Sequence, residues 1–128
     1  MKLSASEARK LLGEKAPHKY HARPHVVDGI RFASSLEARR YQELLRLQQA
    51  KIVNWFVRQP RFDLGAGVQY VADFLVVWEA YGPGKVTVED CKGFETPVFK
   101  LKHRLFRERY PQVQLRLVGA RDVRSTDA

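Results

Sequence analysis

Two apolar runs joined by a Gly-Pro-Gly turn limit what this chain can fold into more than any other feature. They are Tyr70-Val-Ala-Asp-Phe-Leu-Val-Val-Trp78 and Val86-Thr-Val-Glu-Asp-Cys-Lys-Gly93. The first is apolar on both alternating faces, the pattern of a strand buried on both sides of a sheet. Asp73 lies in the middle of it, with Val71, Leu75 and Val77 as same-face neighbours. In the second run, period two places Val86, Val88, Asp90 and Lys92 on one face. Gly82, Pro83 and Gly84 punctuate the Glu79–Lys85 connection as a turn. A hairpin folded between Tyr81 and Gly82 sets Asp73 opposite Asp90. Directly opposed residues have Cβ atoms about 4.5–5.5 Å apart, where like charges are destabilising. Carboxylates meeting in a partly buried sheet make sense if a divalent cation lies between them. Lys92 would reach the same spot.

The chain of 128 residues is enough for one domain with one core. The expected division is a basic N-terminal helix and arm over 1–30, a catalytic core over 31–119 and a flexible tail over 120–128. At 45% hydrophobic and 29% charged the composition is that of a globular protein. No apolar run approaches the ~20 residues of a membrane span and no signal-peptide core is evident, so no membrane partner is expected. Cys91 is the one cysteine, which excludes an internal disulfide and fits a reducing cytoplasm. The excess of 23 Lys and Arg over 14 Asp and Glu gives a net charge of +9. Such a balance points to a polyanion, nucleic acid first, with a plain solubility role as the alternative.

In chain order, residues 3–13 could form a short helix closed by Gly13. Residues 14–25, broken by Pro17 and Pro24, read as an extended basic arm. His18, His21 and His25 lack the cysteine pair of a common zinc site, and a phosphate-contacting or solvated arm is the better reading. Ser34–Ala50 is the best helix, with Ser34 and Glu37 spaced as a capping box. Glu37 is therefore either a helix cap or a third acid facing the sheet. Ile52–Gln59 is strand-like, and Pro60 predicts a bulge or edge before Arg61–Leu64. Thr96 and Pro97 open a helix to about Arg109, with Val98, Leu101, Leu105 and Phe106 as its expected buried stripe. Lys100, Lys102, His103, Arg104, Arg107 and Arg109 fall on the remainder. Val113–Val118 is a last strand, and residues 121–128 read as a frayed tail. The fold class is α+β: helix, three-strand antiparallel meander, helix, strand, in a mixed sheet flanked by helices.

Phosphodiester cleavage needs an activated water, a stabilised developing charge and a neutralised leaving oxygen. Two Mg²⁺ ions on clustered carboxylates supply all three. Asp73, Asp90 and Glu37 form a set sparse enough for Mg²⁺, which keeps several waters. Lys92 would orient the attacking water and stabilise charge, or simply pair with Asp90. Glu89 points to the opposite face from Asp90, which predicts a surface or dimer position unless a bulge slips the register.

Asp73 followed after a hairpin by Asp90-Cys-Lys92 resembles the motif of the PD-(D/E)XK nuclease superfamily, with its restriction-endonuclease-like core. Five blocks resemble more narrowly a family of small phage-borne nucleases similar to Holliday-junction resolvases of the Hjc and RecU type. They are Phe32–Tyr41, Gln59-Pro60, Tyr70–Phe74, Val88–Gly93 and Thr96–Lys102. Ala72 stands where the superfamily name expects proline. The resemblance implies Asp73, Asp90 and Glu37 as metal ligands, Lys92 as catalytic lysine, and Gln59 in support. It implies Mg²⁺, replaceable by Mn²⁺ and bound as two ions, and a homodimer acting on four-way DNA junctions, in the host cytoplasm if phage-encoded.

Thr96, Lys100, Lys102 and Arg104 are candidate DNA contacts at a helix N-terminus, or members of a solvated basic face. Lys19, Tyr20 and Arg23 would make the arm fold over DNA. Trp55, Phe56 and Trp78 could pair two copies or belong to the core. The functional expectation is a metal-dependent, structure-specific DNA endonuclease acting in recombination and repair as a Holliday-junction resolvase. A nuclease for flaps, nicks or plain duplex, and a non-catalytic DNA-binding module, are the alternatives.

Overall fold

The computed structural model describes residues 25–82, 84–92 and 95–123. The expected 3–13 helix, most of the arm, and Lys19, Tyr20 and Arg23 lie outside them.

Helix α1 (Ser35–Gln49) begins as its sequence dictates: the Ser34 side chain accepts from the Glu37 backbone N–H at 3.1 Å. One half of the capping box is thus formed. Helix α2 (Pro97–Arg109) starts with Pro97 in its first turn, and Thr96 Oγ1 accepts from the Phe99 N–H at 3.1 Å. Around them the described residues form eight strands. These are β1 (His25–Val27), β2 (Ile30–Phe32), β3 (Val53–Arg58), β4 (Arg61–Gly65), β5 (Val68–Val71), β6 (Phe74–Trp78), β7 (Val86–Cys91) and β8 (Gln114–Val118).

The central sheet has the order β3-β6-β7-β8. β3, β6 and β7 run antiparallel, while β8 joins β7 in parallel through the α2 crossover. The fold is α+β with a mixed four-stranded sheet and a helix on each face. On the α1 side, Phe74, Val76 and Trp78 of β6 pack with Phe32, Ala38, Leu44 and Val53. On the α2 side, Val88 and Leu75 pack with Tyr70, Ala72 and Phe106. Leu44, Phe74 and Phe106 are fully buried, each contributing about 1.5–3 kcal/mol.

Several details differ from the sequence reading. The Tyr70–Trp78 run is not one strand: it divides at Ala72-Asp73, and β4 and β5 leave the central sheet as a separate two-stranded ribbon. Pro60 marks the other side of that break, and its carbonyl accepts from the Ala72 N–H at 3.1 Å. His25 opens the β1–β2 hairpin rather than ending an extended arm. Residues 120–122 form a 3₁₀ turn and Val123 is buried against the core, so the ordered chain runs past 119.

The α2 stripe is rotated relative to expectation. Phe99, His103 and Phe106 are buried while Leu101 is 55% exposed. Two overlapping apolar stripes exist on this helix, and the aromatic one wins because Phe106 meets Phe62, Tyr70 and Tyr110 at centroid distances of 4.8–5.5 Å.

Glu89 is the plainest correction: it is fully buried, not a surface residue. With helices on both faces, alternation exchanges one interior for another. Arg40 grips it with two bonds, Nε to Oε1 at 2.7 Å and Nη2 to Oε2 at 2.6 Å, and also pairs with Glu43. Among the described residues no helix is long and apolar enough to cross a membrane.

Candidate active site

The β6–β7 register is Phe74↔Glu89, Leu75↔Val88, Val76↔Thr87 and Val77↔Val86. The turn position is borne out by this register, which ends at Phe74↔Glu89; the expected next pair, Asp73 with Asp90, does not form. The Asp73 N–H instead donates to the Glu89 carbonyl at 3.0 Å, so Asp73 and Phe74 both face Glu89, and the chain bulges where Asp73 and Asp90 come together. Asp73 sits where β5 ends and β6 begins. The strands diverge there, and the gap opens into a cleft of about 470 Å³.

Glu37, Asp73, Asp90, Lys92 and Lys102 all line that cleft. Its other wall is Gln69 to Val71 of the ribbon with Phe99 of α2. Glu37 comes from the first turn of α1, on the opposite face of the sheet, and its carboxyl hydrogen-bonds to that of Asp73. Its side chain thus serves the cleft, whereas its backbone N–H serves the helix cap.

Each acid is held toward its protonated form. Burial, then the charge of Asp73, a hydrogen bond to it and the charge of Asp90 push the Glu37 carboxyl up to about 8. Burial also raises Asp73, opposed by the Cys91 N–H, which donates to its Oδ2 at 2.7 Å, and by Glu37, Lys92 and Arg58. Asp90 is raised by burial and opposed by His103 and Lys92. The Cys91 thiol, buried beside these carboxylates, is raised by burial and then by their charge. It is a packing residue, not a thiolate.

Such a cluster can hold a shared proton or a hard cation. As they stand, no three carboxylate, imidazole or thiol groups among the described residues converge closely enough to form a ready-made metal cage. The donors that could take part are Asp73, Asp90 and Glu37.

Lys92 Nζ sits 4.0 Å from the centre of the Phe99 ring, a cation–π contact that holds the ammonium at the cleft mouth. Lys102 Nζ donates to the Gln69 carbonyl at 2.8 Å, tying α2 to the ribbon. Thr96 is engaged as the α2 cap. Lys100 is exposed outside the cleft lining, and Arg104 is 78% exposed with Glu108 at 3.6 Å. Gln59 has a left-handed backbone (φ +52°), and its N–H donates to the Asp73 carbonyl at 2.9 Å. Its side chain is exposed and outside the cleft lining, so Gln59 supports the site through its main chain.

Three residues that sequence reasoning passed over belong here. Arg58, at the end of β3, lies over the Phe32 ring at 4.6 Å and draws Glu37 and Asp73 toward their ionised forms. Tyr70 donates its hydroxyl proton to Asp90, and His103 Nε2 stands 3.0 Å from the same oxygen. The Phe99, His103, Phe106 spacing of four and three residues was the available signal for His103. Register with β6 was the signal for Arg58, which pairs with Phe74.

Comparison with known proteins matches residues 17–125 to the family described as protein of unknown function (DUF1064), and the chain belongs to that family. No curated protein matches it.

Proposed function

We propose that this DUF1064 protein is a Mg²⁺-dependent, structure-specific DNA endonuclease whose substrate is the four-way junction. The carrying observation is one cleft lined by Asp73 from the entry to β6 and Asp90 from β7, with Glu37 hydrogen-bonded to Asp73 and Lys92 two residues after Asp90. A binding surface for phosphates gains nothing from three clustered acids, one buried and two half-buried. Oxygen donors, burial and like charge together fit a hard divalent cation. Mn²⁺ fits the same donors, and the number of ions, taken as two, follows from the reaction class.

When bound, Mg²⁺ supplies Lewis-acid stabilisation of the charge that develops on the phosphoryl oxygens. The chain's own residues do the rest. Asp73 and Asp90 are the residues that would hold the ion, and Glu37 would join them in its ionised form. Lys92 Nζ donates to the phosphoryl oxygen and stabilises the crowded, more negative transition state. Lys102 and the basic face of α2, with Lys100 and Arg104, hold the backbone on either side without reading sequence.

A four-way junction has near two-fold symmetry, so paired cuts call for a two-fold homodimer. Trp55 and Val57, 46% and 43% exposed on the edge strand β3, are the face offered for it.

The test is nicking of a four-way junction and of linear duplex of the same sequence, at matched salt with Mg²⁺. The expected result is symmetric nicking of the junction and little of the duplex, abolished in Asp73→Asn with junction binding retained. Equal cleavage of both substrates would refute junction specificity. Unchanged cleavage by Asp73→Asn would end the enzymatic reading.

A further inference from the structure

Asp90 has surroundings that the cleavage scheme leaves unexplained. Its Oδ2 accepts from the Tyr70 hydroxyl and lies 3.0 Å from His103 Nε2, and the hydroxyl and Nε2 are themselves 3.1 Å apart. All three residues are at least 98% buried, so no solvent stands in for any of these bonds. A carboxylate that ligates a cation is ionised and can only accept, and in that state Nε2 is the protonated nitrogen of the imidazole. Nδ1, buried without a partner, is then the bare acceptor of that tautomer.

Both donors are fixed by rings. His103 packs against Phe99 at 3.8 Å and edge-on to Tyr70 at 5.4 Å, while Tyr70 lies against Phe62 and Phe106. The backbone N–H of Asp73 also approaches the Asp90 carboxylate. Its two oxygens offer about four lone-pair sites, so these donors leave room for one more partner.

We infer that Tyr70 and His103 are positioning residues: they saturate Oδ2 of Asp90 and thereby present Oδ1 as its ligating oxygen to a hard divalent cation in the cleft. The inference rests on the metal-dependent reading above and adds to it the pair that orients one ligand. Partners of this kind, bonded to a ligand rather than to the ion, change metal affinity by about 10–100-fold when removed.

The experiment is calorimetric titration of the full chain with Mn²⁺, without DNA, alongside urea unfolding of each variant. Tyr70→Phe and His103→Leu are expected to weaken Mn²⁺ binding about 10–100-fold. His103→Gln, which restores an N–H near the place of Nε2, is expected to stay within about threefold of wild type. Asp90→Asn separates the two claims. If it binds Mn²⁺ as wild type does, Asp90 is no ligand and both readings fall. If it loses binding while Tyr70→Phe and His103→Leu keep it, the positioning inference alone falls. Loss in His103→Gln equal to that in His103→Leu would remove His103 from the pair. Tyr70→Phe keeps its ring between Phe62 and Phe106 and decides the matter if His103→Leu does not fold.

Discussion

Glu37→Gln should stabilise the metal-free protein, and the gain should depend on pH in a stated direction. In the folded chain the Glu37 carboxyl is raised from 4.5 to about 8, by burial first and then by Asp73. Between those values the native state binds a proton that the unfolded state does not. Stability therefore falls as pH rises through that window, the reverse of the usual salt-bridged carboxylate. The full span, at about 1.4 kcal/mol per pH unit, bounds the penalty at about 5 kcal/mol. Solvent reaches the half-buried side chain, and one proton is shared with Asp73, which together leave about 1–2 kcal/mol. Glutamine keeps the shape and carries no charge. Urea unfolding near pH 8.5 should show the variant more stable by about 1–2 kcal/mol, or about 4–8 °C in Tm. Near pH 4.5, where the wild-type group is protonated when folded, the difference should nearly vanish. A gain of equal size at both pH values, or a loss that grows with pH, would refute the claim that Glu37 and Asp73 contend for one proton.

Mg²⁺ should raise the wild-type Tm more near pH 8.5 than near pH 6, because the cation displaces the Glu37 proton. A shift independent of pH in differential scanning fluorimetry would contradict this. Arg40→Met strands Glu89 in the interior and should cost about 3–5 kcal/mol by urea unfolding. Lys92→Met should lower the nicking rate about 10²–10³-fold in a single-turnover assay, while gel-shift affinity for the junction changes far less. Phe106→Ala should cost about 3–5 kcal/mol, whereas Leu101→Ala on the same helix should be nearly neutral in denaturant titrations.

The heart of the site was legible because register follows from turn position. Gly82 and Gly84 both have positive φ, and folding the chain there fixes the β6–β7 pairing as far as Phe74↔Glu89, which brings Asp73 and Asp90 to one cleft although a bulge keeps them from pairing directly. Both helix starts were legible too, since Ser34 and Thr96-Pro97 are local signals that tertiary packing did not override. Glu89 was misjudged because alternation tells which residues share a face, not what covers it. The partner that makes its burial tolerable, Arg40, is 49 residues away in sequence. The separation of β4 and β5 was half visible in Pro60. The matching break at Ala72-Asp73 carries no glycine or proline, and it arises where β7 continues and the ribbon does not. His103 was grouped with the basic residues around it by composition, although its spacing from Phe99 and Phe106 placed it inward.

Anomalous scattering from crystals soaked in Mn²⁺ is the most direct measurement of whether these acids exist to hold a cation. The account predicts a peak bounded by the carboxylates of Asp73 and Asp90, with Glu37 turned toward it and Lys92 nearby. Carboxylates still bonded to one another at saturating Mn²⁺, with any peak lying elsewhere on the molecule, would contradict it.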